Sequence, residues 1–304
     1  MARTALALAA VSFFLALAER TWAAEGDCRD AEVAYDTATS AITSVERNAA
    51  LFSAASKGCL ALARRLLAAG ASLAARDRRG AMPLAHAARA GSVALVRLFL
   101  GAGAAIDARD LSGATALYRA AEGEHPSTVA LLLENGADPN LTGGADVSPL
   151  AAAAYRGNDR IVETLLAHGA RPDARDATGK SAILYAAARA FSVVVKRLLD
   201  AGVDATARYG HGLTALMWAA GHEDGVGPHT AVEVVDLLVM RGAPLDAADD
   251  RGRTALMIAA ERGDGEVVAA LLRHGADPAT KDGSGRTARD LAANDAVRAA
   301  LGAR

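Results

Sequence analysis

Apolar positions fall along most of the chain in two alternating kinds of block. A short block opens on Thr, Ser or Met, continues with Leu, and carries a pair of small residues. Met82, Pro83, Leu84, Ala87 and Ala88 are one example. A longer block follows, with Val93, Leu95, Val96, Leu98, Phe99 and Leu100 at helical spacing. Each block predicts a short helix. Pro83 suits a first helical turn, because its missing N–H has no partner there in any case. The small pair Ala87-Ala88 lets neighbouring helices approach closely. Gly91 ends the first helix, and Gly103 is a left-handed cap for the second. Asp107 and Asp110 flank the turn to the next pair, where an Asp side chain bonds nearby backbone N–H groups.

The pattern repeats. The opening position stands at Met82, Thr115, Ser148, Ser181 and Thr214, always 33 residues apart. Thr254 follows after 40 residues and Thr287 after a further 33, while Ala49 extends the series backward by 33. A second column keeps the same register: Gly70-Ala71, Gly103-Ala104, Gly136-Ala137, Gly169-Ala170, Gly202-Val203, Gly242-Ala243 and Gly275-Ala276. A unit of this size cannot bury its apolar face alone, so stability comes from stacking on its neighbours. About eight helix pairs are expected, the first and last imperfect.

Residues 148–174 (SPLAAAAYRGNDRIVETLLAHGARPDA) and 254–280 (TALMIAAERGDGEVVAALLRHGADPAT) resemble ankyrin repeats. The family pattern opens Thr-Pro-Leu-His, then has an Ala pair, Leu-Leu and a Gly-Ala-Asp turn. The resemblance covers about 48–304. It implies an all-α ankyrin-repeat solenoid of about eight helix-pair units joined by β-hairpin-like turns. There are departures. Pro is kept only at Pro83 and Pro149, the His after Leu is absent from every repeat, and Asp146 stands where the turn Gly is usual.

Ahead of the repeats, Arg3 precedes an apolar run from Ala5 to Ala18 and then small residues. This is the layout of a secretory signal peptide over 1–23, with cleavage after Ala23 or Ala24. Residues 24–47 are expected to form an N-terminal capping segment, with Ala38, Ile42 and Val45 on one helical face, leaving 48–304 as the repeat domain. No later run is long and apolar enough to span a bilayer. The expected location is therefore periplasmic or secreted, with no membrane insertion after signal removal. In an oxidising compartment Cys28 and Cys59 either close a disulfide that ties the N-terminal segment to the first repeat or stay unrelated thiols. Geometry decides between these.

Composition narrows the function. Hydrophobic residues make up 52% and aromatic residues 4%, so the core is built from small aliphatic side chains. A net charge of −2 argues against a dedicated nucleic-acid binder. Ala177 to Ser181 resembles the end of a phosphate-binding loop, but Ala174 stands where that motif needs Gly. Repeat six carries a seven-residue insertion at 221–229 that offers His222, Glu223, Asp224 and His229, side chains able to hold a transition metal. No rigid i, i+4 pair holds them, so a longer loop is the plainer reading. A metal- or small-ligand-binding protein using this loop is the alternative to a binding module. No catalytic set is suggested, so neither an enzyme nor a cofactor is expected.

The resemblance implies recognition of another protein through the concave face made by inner helices and hairpin tips. By position, the hairpins offer Arg76, Arg78, Arg79, Arg109, Arg175, Lys180, Arg208, Arg251 and Arg253. The inner helices offer His86, Arg89, Arg119, Tyr155, Arg156, Tyr185, Arg189, Trp218, His222 and Arg262. A surface lined by one sign of charge concentrates partners of the other sign, and Tyr, Trp and Arg are enriched at interface hot spots. The expected partner is a protein with an acidic surface or segment. Against this, hairpin Arg residues can be neutralised by their own Asp neighbours, and Trp218 can be core.

Overall fold

The computed structural model describes residues 28–37 and 42–302. The expected signal peptide and Ala38 lie outside the described residues. Within them the chain is helical, with a single isolated bridge between Arg175 and Ser181 and no strand. The described residues divide into two compact units, one up to Ala137 and one from Asp138.

In the first unit, α1 (Cys28–Thr37) precedes three helix pairs: α2 (Ser44–Lys57) and α3 (Leu60–Ala68), α4 (Pro83–Arg89) and α5 (Val93–Gly101), α6 (Ala116–Glu122) and α7 (Pro126–Glu134). The second holds five: α8 (Pro149–Arg156) and α9 (Asp159–Ala167), α10 (Ala182–Ala188) and α11 (Ser192–Asp200), α12 (Ala215–Ala220) and α13 (Pro228–Met240), α14 (Ala255–Arg262) and α15 (Gly265–Arg273), α16 (Ala288–Leu291) and α17 (Asp295–Ala300). In each unit, first helices pack on first helices and second on second, making an inner and an outer layer.

The small pairs explain the inner layer. Ala54-Ala55, Ala87-Ala88, Ala120-Ala121, Ala153-Ala154, Ala186-Ala187, Ala219-Ala220 and Ala259-Ala260 are all 0% exposed. A larger side chain there would push adjacent helices apart, since interiors have no spare volume. Between layers lie Leu95, Val96 and Phe99 in the first unit, and Ile161, Leu165, Val195, Leu198, Val235 and Leu238 in the second. Full burial of one such side chain contributes about 1.5–3 kcal/mol. The opening Thr and Ser residues act as N-caps. Thr115, Ser148, Thr214 and Thr254 each accept from the backbone N–H three residues on.

The N-terminal segment differs from expectation in two respects. The first inner helix already begins at Ser44, capped by a reciprocal Thr43–Glu46 box, so the 47/48 boundary falls inside a helix. Ile42 precedes that helix and Val45 is 74% exposed, so these two do not form a buried face. Helix α1 buries no residue. It is fastened by a disulfide between Cys28 and Cys59, Cα–Cα 5.4 Å, and by Arg65, which pairs with Asp36 and stacks over Tyr35.

The seven extra residues of repeat six are shared between loop and helix. Helix α13 has 13 residues where α11 has 9, and the loop before it has four more than its counterpart in repeat five, while α12 is one residue shorter than α10.

Candidate functional site

The hairpin tips are built by one device. Asp77, Asp110, Asp176, Asp249 and Asp282 each direct Oδ1 at the backbone N–H groups two and four residues on, at 2.7–3.0 Å. Their tips need left-handed backbone only at the third residue on: Gly80, Gly113, Gly179, Gly252 and Gly285. Gly143 and Tyr209 stand where the other repeats carry Asp. Without the carboxylate there is nothing to hold the N–H two residues on, and Ala145 (φ 55) and His211 (φ 62) turn left-handed as well. Asp146, at φ 58, occupies the Gly position it was expected to fill.

The second oxygen of the Asp reaches back to the inner helix. His86 Nε2 lies 2.9 Å from Asp77, Arg119 donates to Asp110 at 2.6 Å, and the Tyr185 hydroxyl donates to Asp176. Each donor stands nine residues after its Asp. In two further repeats Arg253 and Arg286 take that oxygen instead, at 3.1 and 2.9 Å. Burial alone would raise the carboxyls of Asp110 and Asp176, but the Ser112 and Arg119 bonds on one, and the Tyr185 and Thr178 bonds on the other, hold both below the usual range. Trp218 stands in the same column, but the residue nine positions earlier is Tyr209, and the indole N–H is buried without an acceptor.

In the first unit, therefore, Arg119 serves its own hairpin and also contacts Glu122 at 3.0 Å. Arg89 is exposed with no carboxylate against it among the described residues. His86 lies between Asp77, Ser56 (3.0 Å) and the Phe52 ring, and burial holds its pKa below the usual value although Asp77 opposes this.

The second unit holds a cluster. Tyr155, 37% exposed, meets Tyr185 edge to face at 6.0 Å. The Arg189 guanidinium lies 4.7 Å from the Tyr155 ring centre and 5.5 Å from that of Phe191. Phe191 in turn lies on Gly157, where a Cβ would come within 2.7 Å of the ring. Lys180 Nζ stands 5.0 Å from the Trp218 ring and 5.8 Å from Tyr185. Cation–aromatic contacts of this kind contribute about 0.5–1 kcal/mol at exposed sites. Arg189 also has Glu223 at 3.7 Å. Arg156 is exposed with no carboxylate against it among the described residues.

Two expected contact residues are placed otherwise. His222 is 4% exposed: Nε2 meets Asp264 at 2.9 Å and Nδ1 the Glu223 carbonyl. It joins repeat six to repeat seven and is closed to a partner. Arg262 is tied to Asp224 at 2.8 Å. The insertion's candidate metal ligands thus face four different partners, since His229 turns to Glu266 and Glu223 to Arg189. No group of three or more His, Cys, Asp or Glu is gathered for a metal among the described residues.

The hairpin cations divide into two kinds. Arg253 and Arg286 are neutralised by Asp, whereas Arg175 donates to the Arg208 carbonyl at 3.0 Å and Arg208 to the Ala248 carbonyl. A carbonyl leaves their charge uncompensated. Arg175 also lies 4.7 Å over the Tyr209 ring. Tyr209 and Phe191 were not singled out in the sequence. Tyr209 had a signal, an aromatic residue in an Asp column. Phe191 had none, because its role depends on Gly157 in the preceding repeat.

The comparisons agree with this architecture. The model of the family "Ankyrin repeats (3 copies)" matches residues 40–143, 150–227 and 228–301. The crystal structure of the human ASB11 ankyrin repeat domain is similar at a TM-score of 0.66 and 28% identity, over 75% of this chain and 98% of that one. No curated protein matches the chain by sequence. Period, paired helices, Asp-built hairpins and family match converge: the chain belongs to the ankyrin-repeat family, whose members are in general protein-binding scaffolds.

Proposed function

We propose that this protein binds an acidic segment of a partner protein across the inner-helix ends and hairpin tips of repeats four to six. The observation that carries the reading is the exposed Tyr155 ring under the Arg189 guanidinium, with Arg156 exposed beside it. Tyr and Arg contribute large contact area and directed hydrogen bonds at the centres of interfaces. Uncompensated cations at Arg175 and Arg208 add charge of the matching sign, which speeds encounter with an acidic partner. The site works in an oxidising compartment, periplasmic or extracellular, which the Cys28–Cys59 bond supports, since such bonds persist where thiols are not kept reduced.

The test is charge reversal. Acidic peptides are titrated at low salt into the wild type and into Arg156→Glu/Arg189→Glu. The variant should bind at least about tenfold more weakly, a difference of roughly 1.4 kcal/mol, and its affinity should depend less on salt. Equal binding by both proteins would show the reading to be wrong.

A further inference from the structure

The two repeats around Tyr209 line an open-mouthed pocket of about 260 Å³. Its walls include Leu184, Leu213, Tyr209 and the Trp218 ring, with Lys180 and His211 among its polar residues. We infer that this pocket receives one bulky apolar side chain from the acidic segment, Leu or Phe in kind, while Lys180 takes an adjacent carboxylate. The inference rests on the proposed acidic-segment reading and adds the residue that the segment must carry.

Three observations lead to it. First, size: small-molecule sites usually enclose about 300–1,000 Å³, so this volume suits a single side chain better than a free ligand. Second, the pocket exists because a rule of the fold is broken. Where other repeats place a hairpin Asp, this one has Tyr209, 7% exposed, and the tip above it turns left-handed at His211. Trp218 then keeps the column position whose counterparts His86, Arg119 and Tyr185 bond an Asp, but it has no Asp to bond. An aromatic wall replaces a polar bracket. Third, charge: Lys180 lies 5.0 Å from the Trp218 ring and the nearby Arg175 and Arg208 bond only carbonyls. Among the acidic residues nearby, Asp250 has His211 at 3.8 Å, and Asp173 and Asp204 lie within electrostatic reach of Tyr209. A carboxylate next to an apolar side chain therefore meets the Lys180 ammonium at the mouth.

The experiment uses the full chain with Trp22→Phe, which leaves Trp218 as the one remaining tryptophan of two. Capped peptides Ac-Glu-Asp-X-Asp-Glu-NH2, with X as Ala, Leu or Phe, are titrated at low salt while Trp218 emission is followed. The Leu and Phe peptides should bind at least tenfold more tightly than the Ala peptide and shift the emission. Lys180→Gln should weaken the Leu peptide several-fold, and Leu213→Ser should abolish the preference for Leu over Ala. Should Leu213→Ser fail to fold, the emission shift in the parent chain still decides. If all three peptides bind equally and leave the emission unchanged, the pocket is unused while the acidic-segment reading stands. If none binds at low salt, both are overturned.

Discussion

Replacing Asp176 by Ala isolates the device that shapes the hairpins. The carboxylate accepts from Thr178 N–H at 2.7 Å, Lys180 N–H at 3.0 Å and Thr178 Oγ1 at 2.7 Å, and Tyr185 donates to its second oxygen. A hydrogen bond to a charged group contributes about 1.5–3 kcal/mol. Thr178 is exposed and regains water, so the four losses do not add in full. The hairpin bonds Asp176 N–H to Lys180 O (2.8 Å) and Gly179 N–H to Asp176 O (2.9 Å) need only backbone and survive. The expected loss is about 2–3 kcal/mol. Tips at Gly143 and Tyr209 live without the carboxylate because the residue two on, Ala145 or His211, turns left-handed. Thr178 occupies that place here, and a β-branched residue resists that conformation. Asp176→Ala combined with Thr178→Gly should therefore recover about 1 kcal/mol of the loss, since Gly enters that region freely. Urea midpoints compare the proteins, and amide exchange at Thr178 and Lys180 localises the change. A shift under about 0.5 kcal/mol for Asp176→Ala, the ordinary spread of surface substitutions, would refute the reasoning, as would further destabilisation by Thr178→Gly.

Three other outcomes are expected. Glu124 holds φ 60 where repeats two, four and seven place Gly91, Gly157 and Gly263, so Glu124→Gly should stabilise by about 0.5–1 kcal/mol, the left-handed penalty less the entropy of Gly, read from the urea midpoint. The carboxyls of Asp110, Asp176, Asp249 and Asp282 are all held below their usual range by hydrogen bonds, joined by an Arg in every case but Asp176, so their stabilisation is present above the unfolded carboxylate pKa, near 4, and lost as pH falls through the lower folded values. Melting temperature should decline slightly between pH 7 and about 5, where His86, held below its usual pKa by burial, opposes protonation in the folded state, and fall steeply below about 4, and Asp176→Asn should flatten that steep fall; an unchanged slope would count against the assignment. Because α1 buries no residue, reduction of Cys28–Cys59 should strip exchange protection from residues 28–37 while the repeats keep theirs.

The amino-acid sequence by itself determined the period, the helix pairs, the buried Ala pairs and the turn Gly positions. These features report contacts that every repeat makes with the next, so one spacing writes them into the chain many times over. Only the tertiary structure decided the polar pairings. His222 reads as a surface residue until Asp264, 42 positions later, closes on it. Arg119 and Arg189 carry the same side chain four places apart in the repeat, yet one is held by Asp110 and the other lies on Tyr155. The pocket beside Trp218 follows from a substitution nine residues away and from the backbone reversal it permits. The reason is physical. Apolar burial depends on which face a residue occupies, and helical period fixes the face. A hydrogen bond depends on distances of a few tenths of an ångström between groups remote in sequence, and only the folded chain sets those.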